Sequence, residues 1–505
     1  MSSFSRINKK ITINRSTIKK AFTPSCLSLN EKVQFIKDGL FHTDDLNSRE
    51  LIFNNTKVVI LFLNTMINDK VLQSNIIKPL IDHGSGAIEH VINTSNIKPA
   101  SSLNAAIEAM TDGNCILLTE ESIYSVPIPK QQASRDEPNN EKIIRGSHQG
   151  FSENITDNIQ YIRERISSPK LTVKFSSIGE TTKTKYAIVY ISQLTNPKLI
   201  ETIQNRIKYV KADSIQSPGY FEEFLEDHSF TPFPQFLNTE RPDRVAANLM
   251  EGRVALVMEG SPTVLIFPIT FFSFFQTTED YNERSFIGSF IRVIRIISFL
   301  TALCLPAFYI ALISFNYEVI PVEIIFSIKS SLEYVPFPPL VEAAIMQLTL
   351  ELLREAAIRL PTPISQTIGV VGGLVIGTAV VEANLVSNTM LIVVAITAIS
   401  SFVIPSNELS TSIRILGFPL MVFAALFGIF GIVIGLMFVL IHMSKLKSLG
   451  HPYLYPLAPL DLRAIKDTLF RVPIWLIKVR PKDLKPQYSW KTSNSKGWKK
   501  DEESN

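Results

Sequence analysis

Three carboxylates stand in a stretch of chain otherwise fit for an apolar helix. Leu340–Ile358 reads LVEAAIMQLTLELLREAAI and carries Glu342, Glu351 and Glu355, with Arg354 among them. Glu351 and Glu355 are one helical turn apart and share a face. A charged group at a bilayer centre costs about 2.5–3.5 kcal/mol on insertion scales, so three carboxylates are incompatible with a lipid-facing span. The segment is therefore interfacial, re-entrant or packed around a water-filled path. Two chemistries suit it. A ring of carboxylates from several subunits attracts cations in a pore. Alternatively, Glu–Arg pairs such as Glu355–Arg359 at i,i+4 hold an interfacial helix in place.

Glycines form the second pattern. Gly369, Gly373 and Gly377 lie four apart in IGVVGGLVIG, and Gly431 and Gly435 repeat the spacing, with Gly428 nearby. Small residues at this interval let helix backbones approach closely. They predict either a seam between copies of the chain or packing within one subunit. Motifs of catalysis are absent: there is no GxxxxGK[ST], GxSxG, HExxH or paired CxxC, and the seven histidines are scattered. The chain is expected to be no enzyme, with no cofactor and no metal site. Cys26, Cys115 and Cys304 are its only cysteines. They make no disulfide framework, which points to a reducing compartment.

These residues are positioned by a chain of 505 residues that divides near residue 295. Ile296–Phe315 has no charged residue, and Ile415–Met443 has no Lys, Arg, Asp or Glu; either is long enough to cross a bilayer. Ile364–Val381 and Leu385–Ile404 are two more candidates, separated by Glu382-Ala383-Asn384. About four spans are expected, with the acidic segment as an additional amphipathic or re-entrant helix. Arg284, Arg292 and Arg295 precede the first span and Lys445 and Lys447 follow the last, which predicts both termini in the cytoplasm and Pro405–Arg414 on the far side. The N-terminus is basic and lacks the apolar core of a signal peptide. From Ser444 to Asn505 there are 13 Lys/Arg and 6 Asp/Glu, in a chain of formal net charge +4. That tail fits a cytoplasmic side and contact with anionic membrane lipids. Nucleic acid is not expected, since no recognition motif accompanies the charge.

The region before the spans predicts an α/β (α+β) assembly of two subdomains. After a disordered basic segment, 1–27, the first runs over 28–130. Glu31–Leu40 and Ser48–Phe53 predict helices, Lys57–Leu63 (KVVILFL) a buried strand, and Cys115–Leu118 with Ile123–Ile128 a hairpin. Residues 131–143 read as a linker. The second subdomain covers 144–290, with a helix over Glu153–Ile166 and strands at Leu171–Phe175, Tyr186–Ile191, Val254–Met258 and Val264–Phe267. Phe267–Phe275, FPITFFSFF, predicts an interfacial segment or a buried strand. The transmembrane domain covers 291–443 and the basic tail 444–505. No internal repeat is visible.

Three blocks of sequence carry a resemblance. The first is Arg145-Gly146, Gly150-Phe151, Glu153, Asn158 and Ile162-Arg163-Glu164-Arg165-Ile166. The second is Pro234-Gln235, Thr239-Glu240-Arg241-Pro242-Asp243, Glu251-Gly252-Arg253-Val254-Ala255 and Gly260-Ser261-Pro262. The third is Val335-Pro336-Phe337-Pro338, Glu351-Leu352-Leu353-Arg354-Glu355-Ala356 and Arg359-Leu360-Pro361. In this order, from about Ser28 to Pro473, the chain resembles the A subunit of GerA-type spore germinant receptors. Ser147 and Gln149 stand where that family usually has Pro and an acidic residue. The resemblance implies a protein of the spore inner membrane acting with a transporter-like B subunit, to which the nutrient pocket is mainly assigned, and a lipoprotein C subunit. It also implies self-association, as a pentamer, into a ligand-gated cation channel. The alternative is a non-conducting scaffold that relays nutrient binding between partners.

Overall fold

A computed structural model describes residues 27–84, 86–94, 96–130 and 136–491. The expected basic N-terminus, part of the linker and the last residues of the tail lie outside this range.

The first subdomain is built on an antiparallel sheet of β1 (Leu46–Phe53), β2 (Thr56–Leu63), β3 (Lys98–Pro99), β4 (Asn114–Leu118) and β5 (Ile123–Pro127), in the order β1-β2-β4-β5-β3. Side chains alternate across a strand. Val58, Ile60 and Phe62 enter one core and Val59 and Leu61 the other, where the helices Leu29–Gly39 and Leu103–Thr111 cover the sheet. Both faces are covered, which is why KVVILFL is apolar without interruption. Ser48–Phe53 is not a helix. It is part of β1, paired with β2 from Leu46↔Leu63 to Phe53↔Thr56. Asn54 and Asn55 make the turn at φ of 52° and 59°, the backbone that a two-residue hairpin demands.

The second subdomain has β6 (Leu171–Ile178), β7 (Thr184–Ile191), β8 (Leu237–Thr239), β9 (Val254–Met258) and β10 (Val264–Phe267), ordered β6-β7-β9-β10-β8 and again antiparallel. This order is that of the first sheet. In each unit a helix precedes two paired strands, further helices lead to a short edge strand, and one more helix leads to the last hairpin. The fold therefore contains a repeat that the sequence does not display. One face of the second sheet packs on the helices Pro197–Tyr209 and Pro218–Leu225. The other face carries Val189, Ala255 and Val257, and its core continues into the apolar helices as one cluster. Phe271–Phe275 is neither a strand nor an exposed interfacial segment. It is a 3₁₀ turn whose five side chains are all buried, with Phe271 and Phe275 5.5 and 5.6 Å from the ring of Phe299.

Six helices follow: the joint helix (Ser285–Ser314), a short helix (Val322–Leu332), the acidic helix (Pro339–Arg359), the glycine helix (Thr362–Glu382), the return helix (Asn388–Phe402) and a long segment, Asn407–Lys445. The first and the last of these are long and apolar enough to cross a membrane. Asn407–Lys445 is not one straight rod. Gly428 takes φ 63° and ψ −143°, and the chain folds back there. The rings of Phe423 and Phe438 lie 6.1 Å apart, whereas 15 residues of straight helix would separate them by about 22 Å. A Cβ on Gly431 would meet the Phe423 carbonyl oxygen at 2.0 Å, so only glycine allows the arms this approach. Both ends of the hairpin touch the soluble region. The Ser412 hydroxyl donates to the Pro232 carbonyl, and Thr231 lies 2.8 Å from His442 Nε2. The tip, Gly428, sits against Phe315 and Asn316 at the outer end of the joint helix. Pro405–Arg414 is therefore on the side of the soluble region, not opposite it. The 39-residue segment is about twice the length one crossing needs, and a single glycine divides it.

The two subdomains are joined by a buried ion pair. Arg163 Nε and Nη2 donate to Asp45 Oδ2 and Oδ1 at 2.6 and 2.8 Å, while Thr43 and Thr65 donate to the same carboxylate. Burial pushes the Asp45 carboxyl up, yet Arg163 and the hydroxyls outweigh it and hold it below its usual value. Removing one partner of such a pair costs about 3–5 kcal/mol, because the other is left buried and uncompensated. Arg163→Met is expected to lower stability by that amount in denaturant unfolding, with Asp45→Asn restoring part of it. An undiminished midpoint in Arg163→Met refutes the role given to this pair.

Candidate functional site

The acidic helix is anchored by its neighbours one carboxylate at a time. Glu342 is fully buried near its start. Its Oε2 accepts from the Ser387 amide at 2.9 Å, the Ser387 hydroxyl lies 3.3 Å from Tyr309 OH, and its Oε1 has no hydrogen-bond partner. Glu351 pairs with Arg414 at 2.6 Å and lies 3.7 Å from Arg354. Arg354 in turn lies over the Phe402 ring at 4.5 Å and donates to Ser401. Glu355 pairs with Arg359 at 2.6 Å on an exposed face. Glu342 and Glu355 are separated by about 20 Å of helix axis, so the three do not converge within one chain.

The glycines divide into two sets. Gly431 and Gly435 close the hairpin, where a Cβ on Gly435 would come within 2.6 Å of Leu420 Cδ1. Gly369 and Gly373 are exposed, with nothing within 4 Å of an added Cβ, and Gly377 meets Leu391 at 3.8 Å. One ridge is thus consumed inside the subunit, and most of the other stands open.

A charged joint between the soluble region and the apolar helices was not legible as such. Arg292 and Arg295 are one turn apart on the joint helix and turn inward. Both reach Asp280, which is also buried: Arg295 Nη1 at 2.7 and 2.9 Å, Arg292 at 3.2 and 3.3 Å. Asp280 caps its own short helix through Thr277. A Cβ on Gly288 would stand 2.7 Å from its carbonyl oxygen, so the backbones meet directly. The tail enters the same cluster. Arg292 donates to the Asp467 carbonyl and lies 3.6 Å from its carboxylate, Tyr281 OH donates to Asp467 at 3.1 Å, and Arg471 donates to the Tyr281 carbonyl. The signal available in the sequence was the pair of arginines three residues apart behind an aspartate in a capping pattern.

The motif residues converge on this joint from the soluble side. Arg244 pairs with Glu141 and donates to the Gln276 carbonyl, and Arg241 holds Asp243 and the Ser147 carbonyl. Ser147 and Gln149, the departures from the family pattern, both accept from Arg165. Among the described residues no group of His, Cys, Asp or Glu gathers as metal ligands.

Comparison with known proteins adds the family. Residues 34–483 match the family described as Bacillus/Clostridium GerA spore germination protein. The "Uncharacterized membrane protein YfkQ" of Bacillus subtilis (strain 168) is 38% identical over 473 residues, covering 92% of each chain. "Spore germination protein A1" of the same organism is 36% identical over 475 residues, covering 92% of this chain and 98% of its own. The solved N-terminal domain of the A subunit of the Bacillus megaterium spore germinant receptor GerK3 covers 48% of this chain and 96% of its own, at 27% identity and a TM-score of 0.37.

Asp467 gives the joint a pH signature. Burial pushes its carboxyl up to about 6, against the pull of Arg292. An acid raised in the folded state adds stability that is complete below its unfolded value near 4 and is lost as pH rises through about 6. Asp467→Asn is expected to flatten that part of the stability profile. Asp280→Ala, by contrast, strands two buried arginines and should cost about 3–5 kcal/mol at every pH near neutral. Unfolding midpoints between pH 4 and 7 test both; an unchanged slope in Asp467→Asn or an unchanged midpoint in Asp280→Ala contradicts the assignment.

Proposed function

The chain belongs to the Bacillus/Clostridium GerA family of spore germination proteins, and on that premise we propose that it is a membrane-embedded A-type subunit of a nutrient germinant receptor. It acts in the spore inner membrane beside a transporter-like B subunit and a lipoprotein C subunit. Several copies, five by the family picture, assemble into a ligand-gated cation path. The family match carries the receptor role. The open glycine ridge supports assembly, because Gly369 and Gly373 offer a close-packing face that no described part of the subunit fills.

The geometry supports six passages through the bilayer in place of four. The joint helix leads outward, the acidic helix returns, the glycine helix leads out again and the return helix comes back. The two arms of the hairpin then make one further excursion. An even number keeps both termini on the cytoplasmic side. The acidic helix tolerates this placement because Glu342 is held by the Ser387 amide, Glu351 by Arg414, and Glu355 by Arg359 near the cytoplasmic end.

The non-conducting scaffold remains a second reading, favoured by those same pairs. If Glu351 and Glu355 serve only to hold the subunit together, their loss acts through stability. Glu351→Gln and Glu355→Gln are expected to reduce cation release from spores on nutrient addition at normal abundance. Should abundance fall in step with release, and Arg359→Gln behave alike, the scaffold is the better account.

Two further outcomes follow from the topology and the ridge. A cysteine at position 408 or 490 should be shielded from a membrane-impermeant label applied outside, while one at position 316 reacts; reaction at 408 rules out the six-pass arrangement. Gly373→Leu should abolish the oligomer in native mass measurement while leaving the soluble region folded, and an intact oligomer would mean that the ridge is not the seam.

A further inference from the structure

The outward face of the joint helix is apolar over more turns than the sequence suggests. Arg292 and Arg295, which precede the uncharged run at Ile296, turn inward to Asp280. The outward face carries Phe286, Phe290, Ile294 and Ile297 at helical spacing, with Phe286 84% and Phe290 61% exposed. Apart from the two inward arginines, no charged residue stands between Phe286 and Ser314. The helix has 30 residues and is about 45 Å long, which matches the ~40–45 Å of a bilayer with its headgroups. Its first turns therefore fall in the inner headgroup layer.

The tail is fastened to that foot. The Ser289 hydroxyl donates to the Arg471 carbonyl at 2.9 Å, and Arg471 Nη2 donates to the Tyr281 carbonyl at 3.2 Å. The residues on either side of this anchor leave apolar side chains uncovered. Phe470 is 54% exposed, and Ile474, Trp475 and Leu476 form an exposed 3₁₀ turn. Clustered apolar exposure marks an interaction site, and two observations say with what. The stripe continues through Leu300 to Phe308, in the part of the joint helix that crosses the bilayer. The charge around it is basic: Arg284 is exposed at the same foot, and Ser444 to Asn505 carries 13 Lys/Arg against 6 Asp/Glu. Anionic lipid attracts such a segment, and aromatic side chains settle at headgroup level.

We propose that Phe286, Phe290, Phe470 and Trp475 form an interfacial belt that docks the tail and the foot of the joint helix into the headgroup layer of an anionic leaflet. The belt takes the role expected of Phe267–Phe275, where the five side chains of Phe271–Phe275 are buried instead. It rests on the membrane-embedded reading above, and it fixes the depth at which Asp280 meets its two arginines.

Trp475, Trp490 and Trp498 are the only tryptophans, so Trp490→Phe with Trp498→Phe leaves Trp475 as the sole reporter. The full chain is placed in nanodiscs whose lipids carry bromine either near the headgroup or near the chain ends. Loss of Trp475 emission to the shallow bromines is expected, and a greater loss in phosphatidylglycerol than in phosphatidylcholine. The control is Phe308→Trp in a chain with all three native tryptophans replaced by Phe, since Phe308 is exposed inside the span; the deep bromines should quench it. If neither reporter is quenched, the membrane reading and the belt fail together. If Phe308→Trp is quenched and Trp475 is not, the belt alone is overturned, and shielding of Trp475 from aqueous iodide then identifies a second copy or another protein as the cover. Equal loss in the two lipids overturns the assignment to an anionic leaflet.

Discussion

Asp280 and its two arginines set the relation between the soluble region and everything beyond residue 285. One carboxylate faces two guanidinium groups, all three largely removed from water. Such a group is stable only while every charge keeps its partner. The second arginine is therefore balanced by Asp467 from the tail, which is anchored by Tyr281 in turn. Three separated stretches of chain close on one charge cluster. A shift of the joint helix by even part of a turn would break hydrogen bonds on both sides of it. The hydrophobic core continues past this point without a gap, through Phe271, Phe275 and Phe299. Charge and packing together make the second subdomain and the apolar helices one mechanical unit.

The repeated subdomain gains meaning from that continuity. Both units share strand order and helix placement, but only the second presents an apolar sheet face whose core runs on into the bundle. The first closes both of its cores on itself, with separate clusters on either face of its sheet. It is tied to its twin through Asp45 and Arg163 rather than through a shared core. An ion pair fixes orientation more than it adds stability. A change at the first unit reaches the second through the helix Ile155–Arg165, whose residues Arg163 and Arg165 grip Asp45 on one side and the loop at Ser147 and Gln149 on the other, and through β6, where Asp44 accepts from Lys174 and the Phe175 amide.

How much of this was legible depended on whether the cause lay in local pattern. β2 was legible because burial on both faces leaves an unbroken apolar run. β1 was not: NSRELIF has no clean period, and its strand state comes from pairing with β2 across Asn54-Asn55. The repeat was invisible because strand order is preserved by where apolar residues fall, not by which residues they are. Of the candidate site, the three carboxylates and the glycines were found, yet their partners could not be. Arg414 is 63 positions from Glu351 in the chain and meets it because the hairpin's first arm starts at the base, beside the end of the acidic helix. Arg292 and Arg295 could be read from the sequence only as charges flanking the first span, because a helix alone does not tell which of its faces is covered.

Two turns decide the topology of the last apolar segment and the fate of the acidic helix, one at Gly428 and one before Asn407. Were Asn407–Lys445 straight, it would run for about 58 Å, far beyond a bilayer core of about 30 Å. Its start and its end could not both meet the soluble region, as Ser412 and His442 do. The turn between the return helix and Asn407 sets Arg414 at the level of Glu351 and Ser410 at that of Ser401, and the fold at Gly428 brings His442 back to Thr231. Glu351 is thereby neutralised within the subunit, and Glu342 is enclosed beside Ser387. Glu355 is left as the carboxylate of this helix that faces outward, in an exposed pair with Arg359. Exposed pairs of this kind contribute about 0–1 kcal/mol, so Glu355 is the member of the three that can exchange its partner at little cost when another copy approaches. The short turn that leads from the return helix into Asn407, by setting Arg414 against Glu351, thus determines which charge of the acidic helix is left exposed.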